Sequence, residues 1–568
     1  MSTTEPPPSR PAPAEIVLTV NGTEVRVPDL GESLLAVLRE RLGVRSVKDG
    51  CSPQGQCGCC TVLVDGQPRV ACVTPVRRVR GRTVTTLEGL EPERVARWGD
   101  ALCAAGGSQC GYCTPGIVVR LDSVARKAPA ADDGRAAGSK TVGSKTADSQ
   151  TDDAQVAASG RWPEVDQALL AHLCRCTGWQ TIHEAWERFV ADGPIEGGDR
   201  DLDAASERAT IEGRSPQGVS PAVALGQGGF AADEAPGDSL IAVADGAGGW
   251  VVAETLTEAR ALAGKVQGRR TTARHEWPLE IPDGRWDAAL RTTWVDGAYL
   301  ETDASWCVPG GTLASVVANG GAFGAKTDGP PPGALDVGAV ARELADIHGQ
   351  PVLVLASRED VAARSPKRPP VAGGMMADGT GLLRVVATPG IAEAVASVAP
   401  GLIIEEVAVP GPPTSAAVRA AGWAEAAVLT AGATGRAGPV RSPEGAVAEA
   451  VVEDGTIKVT VGCGRVLDPV VLRSYCIGAA HMAWSWLTSE ATQVDADGQV
   501  HDLTVRSFGV LRAVDTPPIE VEILPGDGAP VNGSDAVFAA VAAAGWLAND
   551  CRPDWPLIAD TPRTRSTS

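Results

Sequence analysis

The chain has 568 residues, a formal net charge of -20 and a pI near 4.8. This length predicts three or four domains, and the acidity argues against nucleic acid or an anionic membrane surface as a partner. Its 14 cysteines are too few for a disulfide framework in so long a chain. Eight of them fall into two groups of four, which indicates metal binding in an intracellular setting.

The first residues carry no targeting signal that we can recognise. Residues 1–14 are rich in proline and lack an apolar core, so we expect a disordered tail rather than a secretory signal. The chain has no window of about 18 uncharged apolar residues, the length needed to span a membrane. A cytoplasmic location away from membranes is therefore the expectation.

Residues 15–89 predict a small sheet crossed by one helix. Alternating segments return through the turns Asn21-Gly22 and Asp65-Gly66, which are typical of two-residue hairpins. Leucines at helical spacing follow between residues 31 and 42, and later strands are expected at 61–64, 69–73 and 83–86. This pattern predicts a β-grasp ferredoxin domain.

The first cysteine group lies in this domain. The sequence Cys-Ser-Pro-Gln-Gly-Gln-Cys-Gly-Cys-Cys, followed later by one more cysteine, has a spacing close to that of plant-type 2Fe-2S ferredoxins. We predict four iron ligands: Cys51, Cys57, Cys60 and Cys72. Cys59 stands where a small residue would serve and could compete for the iron. A zinc knuckle or unliganded core cysteines are the alternatives.

The second group lies in residues 90–192, where the hydrophobic period changes to about 3.6 and predicts a four-helix domain. Its members are Cys110, Cys113, Cys174 and Cys176. Each pair is expected at a helix end, because Pro115 suits a first helical turn and Gly178 suits a turn between helices. Zinc would fit this spacing equally well, but the neighbouring first group favours iron. Residues 127–160 are too polar to pack and predict a disordered insertion.

Both groups, their order and two short sequences resemble one known family. Gln-Cys-Gly-Tyr-Cys-Thr-Pro-Gly and Leu-Cys-Arg-Cys-Thr-Gly are similar to motifs of the iron–sulfur subunit of molybdenum hydroxylases, which include xanthine dehydrogenase, aldehyde oxidase and carbon monoxide dehydrogenase. The resemblance covers residues 15–192 without the insertion. It implies two 2Fe-2S clusters, the first nearer a flavin and the second nearer molybdenum, with Gln109 touching the pterin cofactor.

After a predicted linker at 193–220, residues 221–560 alternate short strands and helices in a mixed α/β pattern. Several segments resemble the molybdopterin-binding subunit of the same family, so the chain as a whole is expected to be an α+β multidomain protein. They begin at residues 298, 320, 351, 419, 464 and 501. The resemblance implies that Phe323, Gly324 and Arg419 are cofactor-binding residues.

The resemblance is incomplete where catalysis would occur. Only residues 425–463 join two motifs that long pterin-binding segments separate in the family. Where the family carries Gly-x-Gly-Glu with a glutamate base, this chain has Asn532-Gly-Ser-Asp535. Asp535 is a candidate base, but Ser534-Asp535 before an apolar run also favours a helix N-cap and first turn.

The leading hypothesis is an oxidoreductase component whose two 2Fe-2S clusters relay electrons from a molybdenum–pterin centre to flavin. The C-terminal region would be shortened and non-catalytic, with molybdopterin on a partner. No glycine-rich dinucleotide fingerprint follows a strand, so FAD would also lie on a partner in a hetero-oligomer. Two alternatives stay open: a compact complete hydroxylase that binds its own molybdopterin, and a non-catalytic assembly or redox-sensing protein.

Overall fold

The computed structural model describes residues 14–127, 163–191, 193–195, 200–264, 271 and 276–557. The predicted tail, apart from Ala14, and the predicted insertion, apart from Lys127, lie outside these described residues.

The N-terminal domain is a five-stranded sheet with one short helix across it. The strands are β1 (Glu15–Val20), β2 (Thr23–Pro28), β3 (Thr61–Val64), β4 (Gln67–Val70) and β5 (Thr83–Thr85), in the order β2-β1-β5-β3-β4. Helix α1 (Leu34–Ala36) continues into a π-helical turn, Val37–Arg41. Alternate residues of β1 are buried, as period-two patterning requires. The predicted β-grasp fold is confirmed.

The hairpin of β3 and β4 brings two predicted ligands to the same end of the sheet. Thr61 pairs with Val70, so Cys60 precedes one strand and Cys72 follows the other. The second strand is shorter than predicted, because Ala71–Val73 form a 3-10 turn. This turn leaves Cys72 5% exposed and its neighbour Val73 52% exposed.

Four helices among the described residues form the next domain: α2 (Pro92–Ala105), α3 (Thr114–Ala125), α4 (Pro163–Leu169) and α5 (Gln180–Val190). Trp98 of α2 stacks on Phe189 of α5 with ring centroids 3.8 Å apart. The buried carboxylate of Asp122 on α3 accepts hydrogen bonds from Arg94 and Arg126. The predicted proline, Pro115, stands in the first turn of α3.

The segment predicted as a linker instead contains helix α6 (Leu202–Gly213). Asp201 caps it by accepting hydrogen bonds from the amides of Asp203 and Ala204, as N-cap residues do. Its buried face carries small and charged side chains, among them Arg208 and Glu212. Since this face has no large apolar residue, hydrophobic periodicity did not reveal the helix.

The C-terminal region has the predicted mixed α/β composition. The helices are α7 (Pro221–Ala224), α8 (Ala231–Glu234), α9 (Leu256–Ala263), α10 (Val337–His348), α11 (Arg358–Arg364), α12 (Ile391–Ala396), α13 (Trp423–Thr434), α14 (Pro469–Thr488) and α15 (Ser534–Ala548). The strands are β6 (Leu240–Ala244), β7 (Trp250–Ala253), β8 (Ala288–Arg291), β9 (Ala304–Cys307), β10 (Val352–Leu355), β11 (Val371–Met375), β12 (Gly381–Val386), β13 (Leu402–Val407), β14 (Val440–Arg441), β15 (Val447–Glu453), β16 (Thr456–Gly462) and β17 (Ile519–Ile523).

These strands form three four-stranded sheets, with orders β7-β6-β10-β9, β13-β12-β11-β8 and β14-β15-β16-β17. Helices α14 and α15 are buried along most of their length. No helix within the described ranges is long and apolar enough to cross a membrane.

The C-terminal region packs directly against both N-terminal domains. A Cβ added at Gly478 of α14 would lie 2.0 Å from the carbonyl oxygen of Cys176, a distance that no side chain could occupy. One hydrophobic core accordingly runs through both N-terminal domains and most of the C-terminal region. A small separate cluster is formed by Val243, Ala253 and Ala259.

The contact between the two N-terminal domains predicts a stability effect. A Cβ at Gly116 in α3 would lie 2.4 Å from the carbonyl oxygen of Gly58, so Gly116→Ala should destabilise the protein by about 1–3 kcal/mol. Gly338→Ala in α10 is the matched control, because its Cβ would meet nothing closer than 3.4 Å. Thermal unfolding followed by circular dichroism measures both; equal midpoints would contradict the packing described here.

Candidate metal centres

The four predicted ligands of the first group and the adjacent Cys59 are buried, each 5% exposed or less. The side chain of Cys51 lies within hydrogen-bonding reach of Cys57 and of Cys72. Cys72 also contacts Cys60. The predicted ligands therefore form a continuous set of neighbouring sulfurs, although they lie up to 21 positions apart in the sequence.

Backbone amides point at these sulfurs. The amide of Gln54 donates to Cys51 Sγ over 3.2 Å, and that of Cys72 donates to Cys60 Sγ over 3.4 Å. Gly55 and Gly58 have φ values of 71° and 73°, a left-handed conformation that glycine adopts without strain. Hydrogen bonds to the sulfurs are among the features that stabilise and tune iron–sulfur clusters.

The crowded thiols have displaced pKa values. Contacts with Cys57 and Cys72 hold the pKa of Cys51 well below its usual range. Contacts with Cys51 and Cys59 raise the pKa of Cys57. Protons are thus shared unequally among neighbouring sulfurs, and a metal that binds there would displace them.

Cys59 lies beside Cys57 rather than beside Cys72. Its sulfur and that of Cys57 would lie 3.0 and 3.1 Å from a Cβ placed on Gly50. Contact with Cys57 lowers the pKa of Cys59, but burial and the neighbouring thiols raise it further, so the net shift is upward. Because Cys60 is the residue that contacts Cys72, this geometry favours the predicted ligand set.

The second group also meets in space. Cys110 Sγ and Cys176 Sγ are 3.5 Å apart, and Cys113 contacts Cys174. Cys113 directly precedes α3, as predicted for a helix end. Contact with Cys113, together with hydrogen bonds from Thr177, lowers the pKa of Cys174 to about 6 despite its burial.

The second group forms two pairs, the arrangement that a 2Fe-2S cluster needs, with two cysteine sulfurs for each iron. Within the described part of the chain, no three His, Cys, Asp or Glu side chains converge as ligands of a single metal ion. The donor chemistry and the aligned amides of both groups therefore fit 2Fe-2S clusters.

The two groups adjoin through the main chain. The amide of Leu173, next to Cys174, donates to the carbonyl oxygen of Cys57 over 3.0 Å. His172 packs against Gly58, with its Nε2 3.2 Å from Thr61 Oγ1. Burial lowers the pKa of His172 to about 4, which keeps the ring neutral near pH 7.

Gln109 lies between the second group and the C-terminal region. Its Nε2 donates to Ser474 Oγ over 2.7 Å, and its carbonyl oxygen accepts from Gln217 Nε2 over 2.7 Å. Its Oε1 has no hydrogen-bond partner within the described residues. Gly321 packs on Cys110, since a Cβ there would lie 3.1 Å from the Cys110 sulfur.

Three of the predicted pterin-site residues come together in the C-terminal region. The guanidinium of Arg419 stacks on the ring of Phe323 at 4.1 Å, and its Nε lies 3.1 Å from Asp535 Oδ1. Gly324 follows Phe323, but a Cβ there would lie 1.8 Å from the carbonyl oxygen of Ala417. The close approach of Ala417 alone therefore explains why residue 324 is a glycine, without a bound cofactor.

Asp535 stands in the first turn of α15, as the capping interpretation predicts, but it does not cap the helix. Asn532 Oδ1 accepts the hydrogen bond from the Asp535 amide, while the Asp535 carboxylate pairs with Arg214 at 2.7 Å and with Arg419. Ser534 Oγ accepts from Arg419. The predicted first-turn position of Asp535 is confirmed, whereas the predicted N-cap residue is wrong, because Ser534 is itself the first residue of α15 and Gly533 occupies the N-cap position.

These residues do not fit a molybdopterin. The Arg419 side chain is 4% exposed and Asp535 is 1% exposed, and their charged groups bind one another. The sequence did not reveal the role of Arg214. This residue directly follows α6 and contacts Asp535, although the two lie more than 300 positions apart in the sequence.

Comparisons with known proteins agree with the two-cluster geometry. The protein-family model called 2Fe-2S iron-sulfur cluster binding domain matches residues 18–77. A second family model, called 2Fe-2S binding domain, matches residues 86–187. The chain is 35% identical over 173 residues to the nicotinate dehydrogenase small FeS subunit of Eubacterium barkeri, which covers 30% of this chain and 90% of that protein. The chain belongs to the molybdenum hydroxylase family.

Other molybdenum hydroxylases match over different lengths. A probable xanthine dehydrogenase subunit of Bacillus subtilis is 30% identical over 166 residues, 29% of this chain and 79% of that protein. An aldehyde oxidoreductase of Megalodesulfovibrio gigas is 47% identical over 106 residues, but the match spans only 12% of its length.

The fold is similar over most of the chain to a solved aldehyde oxidoreductase from Desulfovibrio desulfuricans. That match has a TM-score of 0.64 and 14% identity, and it covers 93% of this chain and 97% of the other. At this identity the likeness concerns the fold alone, so this chain shares the multidomain architecture of that protein.

The separation of the groups into two domains predicts independent clusters. Cys174→Ser should remove one 2Fe-2S electron paramagnetic resonance signal and leave the other, because none of the first group's predicted ligands lies in the helical domain. Iron analysis should show about half of the iron of the unchanged protein. Loss of both signals from a folded variant would contradict this independence.

The position of Cys59 predicts a matched pair of variants. Cys60→Ser should abolish or strongly shift the signal of the first cluster, because the Cys60 sulfur contacts Cys72 and accepts a hydrogen bond from the Cys72 amide. Cys59→Ala should leave the signal and the iron content nearly unchanged. The reverse result would mean that Cys59 is the ligand and that the loop is displaced by one residue.

Proposed function

We propose that this chain is an electron-transfer component of a molybdenum hydroxylase. The observation that carries the proposal is that two cysteine quartets, buried except for the half-buried Cys110, adjoin through the hydrogen bond from the Leu173 amide to the Cys57 carbonyl oxygen. The first quartet comprises Cys51, Cys57, Cys60 and Cys72, and the second comprises Cys110, Cys113, Cys174 and Cys176. The domains that hold them extend over 15–89 and 90–192, and the C-terminal region over 221–560.

When bound, each 2Fe-2S cluster would accept and release one electron at a time. The protein's own contribution is to hold the sulfurs, to direct amides at them and to exclude water. Exposure of 5% or less at the first quartet provides this exclusion. The interleaved main chains of Gly58 and Gly116 keep the quartets close together.

In this proposal molybdopterin belongs to a partner subunit and FAD to another. The relative from Eubacterium barkeri is named a small FeS subunit, which supports a hetero-oligomer for this chain as well. The closed cluster of Arg214, Arg419 and Asp535 supports a partner as the source of molybdopterin. The unpartnered Oε1 of Gln109 would be the chain's polar contact toward that cofactor. We place the protein in the cytoplasm, where reducing conditions suit free thiols.

The second candidate is a compact, complete hydroxylase, with Phe323, Gly324 and Arg419 lining its molybdopterin and Asp535 as base. The full-length fold likeness to aldehyde oxidoreductase favours it. This candidate requires the buried ion pairs of Asp535 to open, whereas the electron-transfer proposal does not.

Metal analysis of the purified full-length protein separates the two candidates. We expect about four irons per chain, as two 2Fe-2S clusters require, with molybdenum and pterin found only on a copurifying subunit. One molybdenum per isolated chain, with hydroxylase activity that Asp535→Asn abolishes, would establish the compact hydroxylase instead.

The ion pairs of Asp535 predict a structural effect of the same substitution. Asp535→Asn should lower the free energy of unfolding by about 3–5 kcal/mol, because it leaves the buried charge of Arg419 unpaired, and it should preserve both cluster signals. Asp527→Asn, on an exposed loop, is the control and should change stability by about 0.5 kcal/mol at most. Chemical denaturation measures both, and equal stabilities would contradict the structural role.

A further inference from the structure

Arg358, at the start of α11, reaches the loop of the first quartet although it is fully buried. Its Nη2 donates to the carbonyl oxygens of Gly50 and Leu300 over 2.7 and 2.8 Å. Its Nε and Nη1 have no hydrogen-bond partner among the described residues. Gly50 directly precedes Cys51, so this guanidinium stands at the beginning of the ligand loop.

Arg506 reaches the other end of the same loop. Its Nε donates over 2.8 Å to the carbonyl oxygen of Gln56, the residue before Cys57, and its Nη2 donates over 2.9 Å to that of Leu170. The charges of Cys57 and Cys51 act on its pKa, although burial acts more strongly and lowers it. Arginine stays protonated in proteins, so its charge is permanent.

Neither guanidinium is held in an ion pair with a described residue. In the described part of the chain, no carboxylate lies within 4.0 Å of the charged nitrogens of Arg358 or Arg506. Two carboxylates do lie beside the loop: Asp49 pairs with Arg260 at 3.0 Å, and Glu359 accepts a hydrogen bond from Gln54 over 3.1 Å. The C-terminal region therefore places one guanidinium group at each end of the first ligand loop.

The second quartet has the opposite arrangement. Arg175 lies between its ligands Cys174 and Cys176, but Glu490 binds it with two hydrogen bonds, of 2.5 and 2.9 Å. Glu490 is 1% exposed, so water screens this pair weakly. Arg175 is thus held in an ion pair, whereas Arg358 and Arg506 form none with the described residues.

We propose that Arg358 and Arg506, whose guanidinium groups lie at the two ends of the first ligand loop, raise the reduction potential of the first cluster. This inference rests on the proposed function, in which both quartets hold 2Fe-2S clusters. Reduction adds one negative charge to a cluster, and a nearby positive charge stabilises that state. The step moves one electron and neither forms nor breaks a bond.

The test is a redox titration of the full-length protein, followed by the two electron paramagnetic resonance signals. Arg506→Gln should lower the potential of the first cluster and leave that of the second unchanged. Arg506→Lys, which keeps the charge, should produce a smaller shift. Arg384→Gln removes the same charge from an exposed pair with Glu405 and serves as the control, with no expected shift.

An unchanged first potential in Arg506→Gln would overturn the inference. So would an equal shift of both clusters, an equal shift in the control, or a shift in Arg506→Lys as large as in Arg506→Gln. Glu490→Gln provides an independent arm: it leaves Arg175 unpaired and should raise the potential of the second cluster alone.

Iron content and the two signals of the unchanged protein are measured first. Their absence would refute the proposed electron-transfer function itself. If both clusters are intact and their reduction potentials are the same in the unchanged protein and in Arg506→Gln, only the role given to the arginines would be refuted.

Discussion

The hydrogen bond between the Leu173 amide and the Cys57 carbonyl is the contact on which the arrangement of the two quartets depends. It joins a residue next to one predicted ligand with another ligand's own main chain. Glycines at 58 and 116 allow the two backbones to approach within a distance that a Cβ would prevent. Arg506 spans the same junction, because it binds the carbonyl oxygens of Gln56 and Leu170 on its two sides.

The C-terminal region shares its fold with the solved aldehyde oxidoreductase, and its buried polar groups make two different kinds of contact. Around Arg419 and Asp535 its polar groups satisfy one another and close the space between them. Around the quartets its polar groups point outward from the region and bind the iron–sulfur domains, through Arg358, Glu490 and Arg506. The region thus contributes more to the surroundings of the clusters than to a cofactor site of its own.

Local signals in the sequence predicted the parts of the structure that local forces determine. Hairpin turns, period-two strands and cysteine spacing predicted the ferredoxin domain, and Pro115 predicted the start of α3. Helix α6 was missed because its buried face carries Arg208 and Glu212 instead of large apolar residues. The partners of Asp535 and of Cys57 were missed because they lie more than 100 positions away, where only the tertiary fold brings them together.

The buried arginines link folding to cluster binding. Burying a cation without a counter-charge is costly, and Arg358 is fully buried with two unpartnered nitrogens among the described residues. The net charge of -20 cannot compensate for this, because charges beyond roughly 8 Å are largely screened at physiological ionic strength. The carboxylate of Asp303 interacts electrostatically with Arg358, and that of Glu359 contacts the ligand loop through Gln54. The thiolate-bound cluster that this loop would hold would add negative charge beside Arg358, so that cluster loading and docking of the C-terminal region would favour each other.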